Sequence, residues 1–161
     1  MQWRIDEAIQ ENALALEFNP NYVEATAYKG LLLTLNGQAD LTIAHERKAL
    51  DLSPLDPARY LPIYYACNAY TLLGRFEEAV PWCERSVSIH PFWANCAVSV
   101  AAYTALGNVE KAATMKAKLH QVKPDYSIGW AKNNGYSKNP VLLQQREDNL
   151  YKYQRKAGIA E

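Results

Sequence analysis

The chain has 161 residues, an apolar fraction of 49% and equal numbers of basic and acidic side chains, 17 of each. That length and apolar content are enough for one folded domain with a real core, and they exclude a disordered chain. The even charge balance argues against direct binding to nucleic acid or to anionic membranes, both of which call for a basic excess or stripe.

Helices are expected near residues 3–18, 23–36, 39–53, 57–73, 76–90, 93–106, 109–122 and 140–157. In the first, Ile5, Ile9 and Leu16 share one side with Ala8 and Ala15, while Trp3, Leu14 and Phe18 gather on the opposite side. The second ends at Gly37, and the third follows it closely. The fourth is opened by Asp56 as a cap and Pro57 in the first helical position, so it starts about one turn early. Pro62 and Pro81 fall near helix starts and are expected to bend the helix or shift its start inward. Glu77 and Glu78 occupy the first turn of the fifth helix, where the helix dipole favours acids. The basic residues from Lys111 to Lys123 are interleaved with apolar ones and read as the solvated face of the seventh helix. Beyond Pro124, residues 125–132 suit a short helix, and Asn133-Asn134-Gly135 is a turn. Asn139-Pro140 then opens a last helix with an apolar stripe of Leu142, Leu143, Leu150 and Tyr153.

No apolar run approaches the ~18 residues of a membrane span. The start Met-Gln-Trp-Arg-Ile-Asp-Glu carries charges where a secretory signal would place apolar residues. Three widely spaced cysteines, Cys67, Cys83 and Cys96, fit neither a disulfide framework nor a zinc knuckle. A reducing, cytoplasmic setting is expected.

Two marks repeat along the chain. Helical ends stop at Pro20, Pro54, Pro91 and Pro124, at spacings of 34, 37 and 33 residues. Proline cannot donate to a helix ladder and pushes its predecessor out of the helical region. Gly37, Gly74 and Gly107 each lie 17 residues before one of these prolines. A glycine there can take the left-handed conformation that ends one helix and turns the chain into the next. Small residues, Gly30, Cys67, Ala79 and Ala112, recur where two helices must cross closely.

The phrase Gly74-Arg75-Phe76-Glu77-Glu78-Ala79 followed by Ser86 and Pro91 resembles the tetratricopeptide (TPR) repeat. So does Asp6-Glu7-Ala8-Ile9 followed by Ala15-Leu16-Glu17 and Pro20. The resemblance covers residues 3 to about 124. Departures are Thr42 and Leu119, where the family usually has small residues, and three extra residues around Asp56–Arg59. The resemblance implies an all-α, right-handed superhelical solenoid with a C-terminal capping helix. It divides the chain into helix B of a truncated first repeat (1–22), repeats at 23–56, 57–92 and 93–125, and a capping segment at 126–161. A second, more local resemblance joins the ending Tyr151–Glu161 and the lengthened middle repeat to TPR regions at the C-termini of bacterial multidomain regulators. Those regulators include nucleotide-cyclase-like signalling proteins and winged-helix transcription regulators.

No phosphate loop, paired-histidine helix motif or nucleophile elbow is present. His45-Glu46 has no third ligand nearby, and His90 and His120 sit at helix ends. No catalytic residue, cofactor or metal is expected. TPR partners usually lie along the concave wall made by the A helices. Carried onto this chain, that wall includes Tyr28, Leu31, Tyr64, Tyr65, Asn68, Thr71 and Val98. The positions of the cationic clamp by which some TPR domains grip a C-terminal carboxylate hold Ala27, Leu31, Tyr65, Ala94 and Val98 instead. An apolar, tyrosine-bearing groove suits a protein or peptide segment, such as an amphipathic helix or another domain of the same polypeptide. The alternative is that the tyrosines pack between adjacent repeats. The expected role is a regulatory interaction module of a larger bacterial signalling protein, with a free-standing structural adaptor as the competing reading. The side of the first helix bearing Trp3, Leu14 and Phe18 would need a preceding helix or, failing that, self-association into a homodimer.

Overall fold

The structure is a computed structural model that describes residues 4–161. Its helices are α1 (Ile5–Phe18), α2 (Val23–Leu35), α3 (Ala39–Leu52), α4 (Tyr60–Leu72), α5 (Phe76–Ile89), α6 (Trp93–Ala105), α7 (Val109–Val122), α8 (Ile128–Asn133), α9 (Pro140–Arg146) and α10 (Lys152–Lys156). A 3-10 turn at Pro57–Arg59 leads into α4, and a π-helical turn at Glu147–Tyr151 joins α9 to α10. No strand occurs among the described residues, and the fold is an all-α helical repeat.

The repeat geometry follows from its punctuation. Gly37, Gly74 and Gly107 have φ of 80°, 72° and 72°. Each lets the next amide turn back onto the preceding helix: Gln38 N–H donates to Leu33 O, Arg75 to Tyr70 and Asn108 to Tyr103. These bonds satisfy carbonyls that the helix end would otherwise orphan. B helices end differently. Asn19, Ser53, His90 and Lys123 leave the helical region yet still donate to the carbonyl four residues back, and the proline that follows has no N–H to continue the ladder.

Small side chains then bring the helices of each pair together. Ala39, Ala49, Ala66 and Ala79 are essentially inaccessible to solvent. Thr42 is buried among them with its hydroxyl satisfied: it donates to Gly30 O at 2.9 Å and lies 2.8 Å from the Thr34 hydroxyl. A polar residue thus replaces a small apolar one without an unpaired group. Leu119, Ile128 and Leu142 are wholly buried, each contributing about 1.5–3 kcal/mol to stability.

Several expectations need correction. Cys67 and Cys83 form a disulfide with Cα atoms 5.1 Å apart, while Cys96 is free and buried. Positions 67 and 83 lie at similar distances on either side of the Gly74 turn, so the antiparallel α4–α5 pair brings them level. Linear spacing hides that. The cysteines therefore give no support to a reducing, cytoplasmic setting. Neither Pro62 nor Pro81 shifts a helix start inward. Pro62 sits in the first turn of α4, where an N–H has no helical partner anyway, and α5 runs from Phe76 straight through Pro81. Leu143 is exposed and leaves the expected apolar stripe, whereas Leu142 is fully buried against Leu35, Ala69 and Leu72.

The last helix is present, but it does not simply close the end of the array. It runs back across the A helices. Ser137 donates to Leu35 O, Asn139 to Asn36 O, Asn149 to Leu72 O and Gln154 to Ala97 O. One segment thereby satisfies carbonyls of α2, α4 and α6 in turn, so its polar residues face inward as well as outward.

Candidate binding groove and cavity

The A helices α2, α4 and α6 stand side by side and form one wall. The C-terminal segment covers part of it and divides it into two regions. The first is an open groove of about 730 Å³ between α1 and α2, lined by Ala8, Asn12, Tyr28, Leu31, Tyr65 and Tyr136. Tyr28 is 53% exposed there. The second is a half-enclosed cavity of about 280 Å³ between α4, α6 and the C-terminal segment.

The wall residues expected from the sequence divide between these regions. Leu31 and Tyr65 line both; Tyr64, Asn68 and Val98 line only the cavity; Tyr28 lines only the groove. Thr71 reaches neither. It is completely buried, with its hydroxyl donating to Cys67 O at 2.9 Å, and belongs to the core. Of the side expected to self-associate, Leu14 is 47% and Phe18 91% exposed, and Trp3 lies outside the described residues.

The cavity is rich in rings. Tyr64 meets Phe92, the residue that caps the start of α6, edge-on, with ring centres 5.1 Å apart. Tyr64 therefore packs against the start of α6 and lines the cavity at once. Opposite stand Tyr126, Leu150 and Tyr151. Burial pushes the Tyr64 phenol up to about 12, with the Arg146 guanidinium pulling the other way. Tyr126 and Tyr151 are raised by burial and lowered by Arg146 in the same manner. Arg146 lines the same cavity as all three phenols. Sequence reasoning missed it, because its position in the last helix says nothing about which elements that helix crosses.

A second missed residue is Glu46. It is completely buried, and neither carboxyl oxygen has a hydrogen-bond partner. Burial pushes its pKa up to about 10, so it is protonated at neutral pH. Gly30 makes the space: a Cβ there would lie 1.9 Å from Glu46 Oε1. Among the described residues no group of three His, Cys, Asp or Glu is placed to hold a metal ion. No described helix is long and apolar enough to cross a membrane.

This architecture has solved counterparts. A crystal structure of MamA, a TPR-like helical-repeat protein, superposes with a TM-score of 0.66 at 20% identity, covering 96% of this chain and 91% of that one. The MamA RS-1 ArsTM double mutant gives 0.67 at 16% identity over 94% and 86% of the two chains. MamA MSR-1 C2 gives 0.60 at 17% over 74% and 68%. The fold is TPR-like. At these identities the likeness concerns fold alone. No protein-family model and no curated protein sequence matches the chain.

Proposed function

We propose that the protein is an interaction scaffold whose open groove takes an apolar or amphipathic segment of a protein partner. The observation that carries this is the half-exposed Tyr28 beside Leu31 and Tyr65 in a groove of about 730 Å³ that the chain's own C-terminal segment leaves open. Tyrosine supplies a large contact area at low entropic cost, and an aromatic floor suits one face of a helix. The groove is not strongly charged, so it favours an apolar face over an acidic tail. A TPR-like array without a catalytic cluster supports a binding role over an enzymatic one.

In the finer reading the partner is another domain of the same polypeptide, the chain acting as the C-terminal regulatory part of a bacterial signalling protein. The local resemblance of residues 151–161 supports it. A free-standing adaptor is supported equally by the fold. A cyclase or DNA-binding domain encoded upstream in the same reading frame favours the first, and an isolated reading frame the second. The exposed Leu14 and Phe18 provide a surface for a homodimer.

The test is affinity capture with the full chain, a Tyr28→Ala/Tyr65→Ala variant and a Val109→Ala control on α7. A discrete partner retained by the wild type and the control and lost by the groove variant is the expected result. Equal retention by all three would reject the groove.

A further inference from the structure

The half-enclosed cavity differs in chemistry from the open groove and calls for a different occupant. At about 280 Å³ it is at the small end of the range for small-molecule sites. Its walls are mostly apolar and carry several rings, Tyr64, Phe92, Trp93 and Tyr151 among them. Flat apolar bodies fill such a space well, since rings stack face to edge at short range.

Two polar groups in it are placed to take a ligand. Asn68 is nine-tenths buried and lines the cavity, yet among the described residues its side-chain amide makes no hydrogen bond. Its polar atoms are not sealed off from solvent, so a ligand in the cavity can bond them. Arg146 is the one cation among the residues lining the cavity, and none of the ion pairs among the described residues includes it. Its neighbours are the Tyr151 hydroxyl and the backbone at Gly135, where an added Cβ would come within 3.2 Å of Nη1. The nearby acid Glu147 is already held by Lys132 and Arg155. Arg146 ends α9 where the chain enters the π-helical turn that carries Leu150 and Tyr151 into the same cavity. Such turns recur at functional sites because they re-aim side chains that a regular helix would turn away.

We propose that this cavity binds a small organic acid, a molecule with one flat apolar body and one carboxylate. The body lies among Tyr64, Phe92 and Tyr151, and the carboxylate accepts hydrogen bonds from the Arg146 guanidinium and the Asn68 amide. A neutral apolar ligand would fill the space and leave both polar groups unpaired. A cation would be repelled by Arg146, and a polyanion would find only one positive charge. The assignment goes beyond the protein-partner reading and does not depend on it, because Tyr28 lies outside this cavity.

The experiment titrates the full chain with 3-phenylpropionate, 3-phenylpropanol and 2-phenylethylamine by calorimetry and ligand-observed NMR. The acid is expected to bind saturably, the alcohol at least about tenfold more weakly, and the amine not at all. Arg146→Gln should weaken the acid by roughly tenfold to a hundredfold and leave the alcohol unchanged. Asn68→Asp, which sets a carboxylate in the space meant for the ligand's own, should abolish acid binding. Circular dichroism and a Val109→Ser control check that each variant is folded. Equal affinity for acid and alcohol, an Arg146→Gln variant that keeps its acid affinity, or no saturable binding of any probe at millimolar concentration would overturn the proposal. None of these outcomes touches the partner captured through Tyr28.

Discussion

Replacing Glu46 by glutamine should stabilise the protein at neutral pH and leave it almost unchanged in acid. The side chain is completely shielded from water by α2 and its own helix, and neither oxygen is hydrogen-bonded. In the unfolded chain this carboxyl titrates near 4.5; in the folded protein burial raises it to about 10. Folding at pH 7 therefore takes up a proton. Because the folded value is the higher one, the stability linked to this group is fully present below pH 4.5 and is lost as pH rises towards 10. The slope is about 1.4 kcal/mol per pH unit, so roughly 3 kcal/mol has gone by pH 7. Glutamine has nearly the same shape and also leaves its polar atoms unpaired, so those costs cancel and only the ionisation term remains. Urea unfolding of both proteins at pH 5, 7 and 8.5 reads the effect. The expected gap is about 0.8 kcal/mol at pH 5, about 3 kcal/mol at pH 7 and larger still at pH 8.5. A gap that is constant across the series would refute the reasoning, because it would mean that Glu46 does not titrate differently in the two states.

Gly30→Ala should cost about 2 kcal/mol or more in the same assay, since the new methyl would meet Glu46 Oε1 at 1.9 Å; adding Glu46→Ala should recover much of that loss, whereas independent sites would add. The Cys67–Cys83 bond joins residues 16 apart, so its reduction should lower stability by about 3 kcal/mol, measured as a fall in Tm with reductant. Alkylation of the unreduced, denatured chain should label Cys96 alone. Gln154→Ala removes a buried amide that donates to Ala97 O and accepts from the Tyr126 hydroxyl, and should cost about 1–3 kcal/mol, with faster hydrogen exchange in residues 147–157.

The helices were largely legible because their signals are local. A glycine 17 residues before Pro54, Pro91 and Pro124 marks each turn and the proline marks the stop of the B helix that follows, and the observed ends of α2 to α7 lie within a few residues of those read from the sequence. What escaped was set by tertiary contact. The stripe on residues 140–157 showed that the last helix has an apolar face, but periodicity cannot say that Leu142 rests on α2 and α4 while Asn149 and Gln154 turn inward to carbonyls. Thr71 stands three residues after Asn68, close enough in helical phase to suggest the same wall, yet it is rotated into the core and bonds Cys67 O. The cavity joins Tyr64 and Asn68 to Arg146 and Tyr151, which lie some eighty residues further on. In the sequence Glu46 showed only as half of a His45-Glu46 pair with no third ligand nearby. Only Gly30, opposite it on α2, explains how a carboxyl came to be enclosed.

The claim that the open half of the A-helix wall is the partner surface is tested most directly by site-specific photocrosslinking in cells that make the full protein. A photoreactive phenylalanine would replace Tyr28 in the groove, and Val109 on α7 would carry the same group as a control. The account expects one discrete crosslinked partner from position 28 and none of that mass from position 109. The same product from both positions, or a product from position 109 alone, would contradict it.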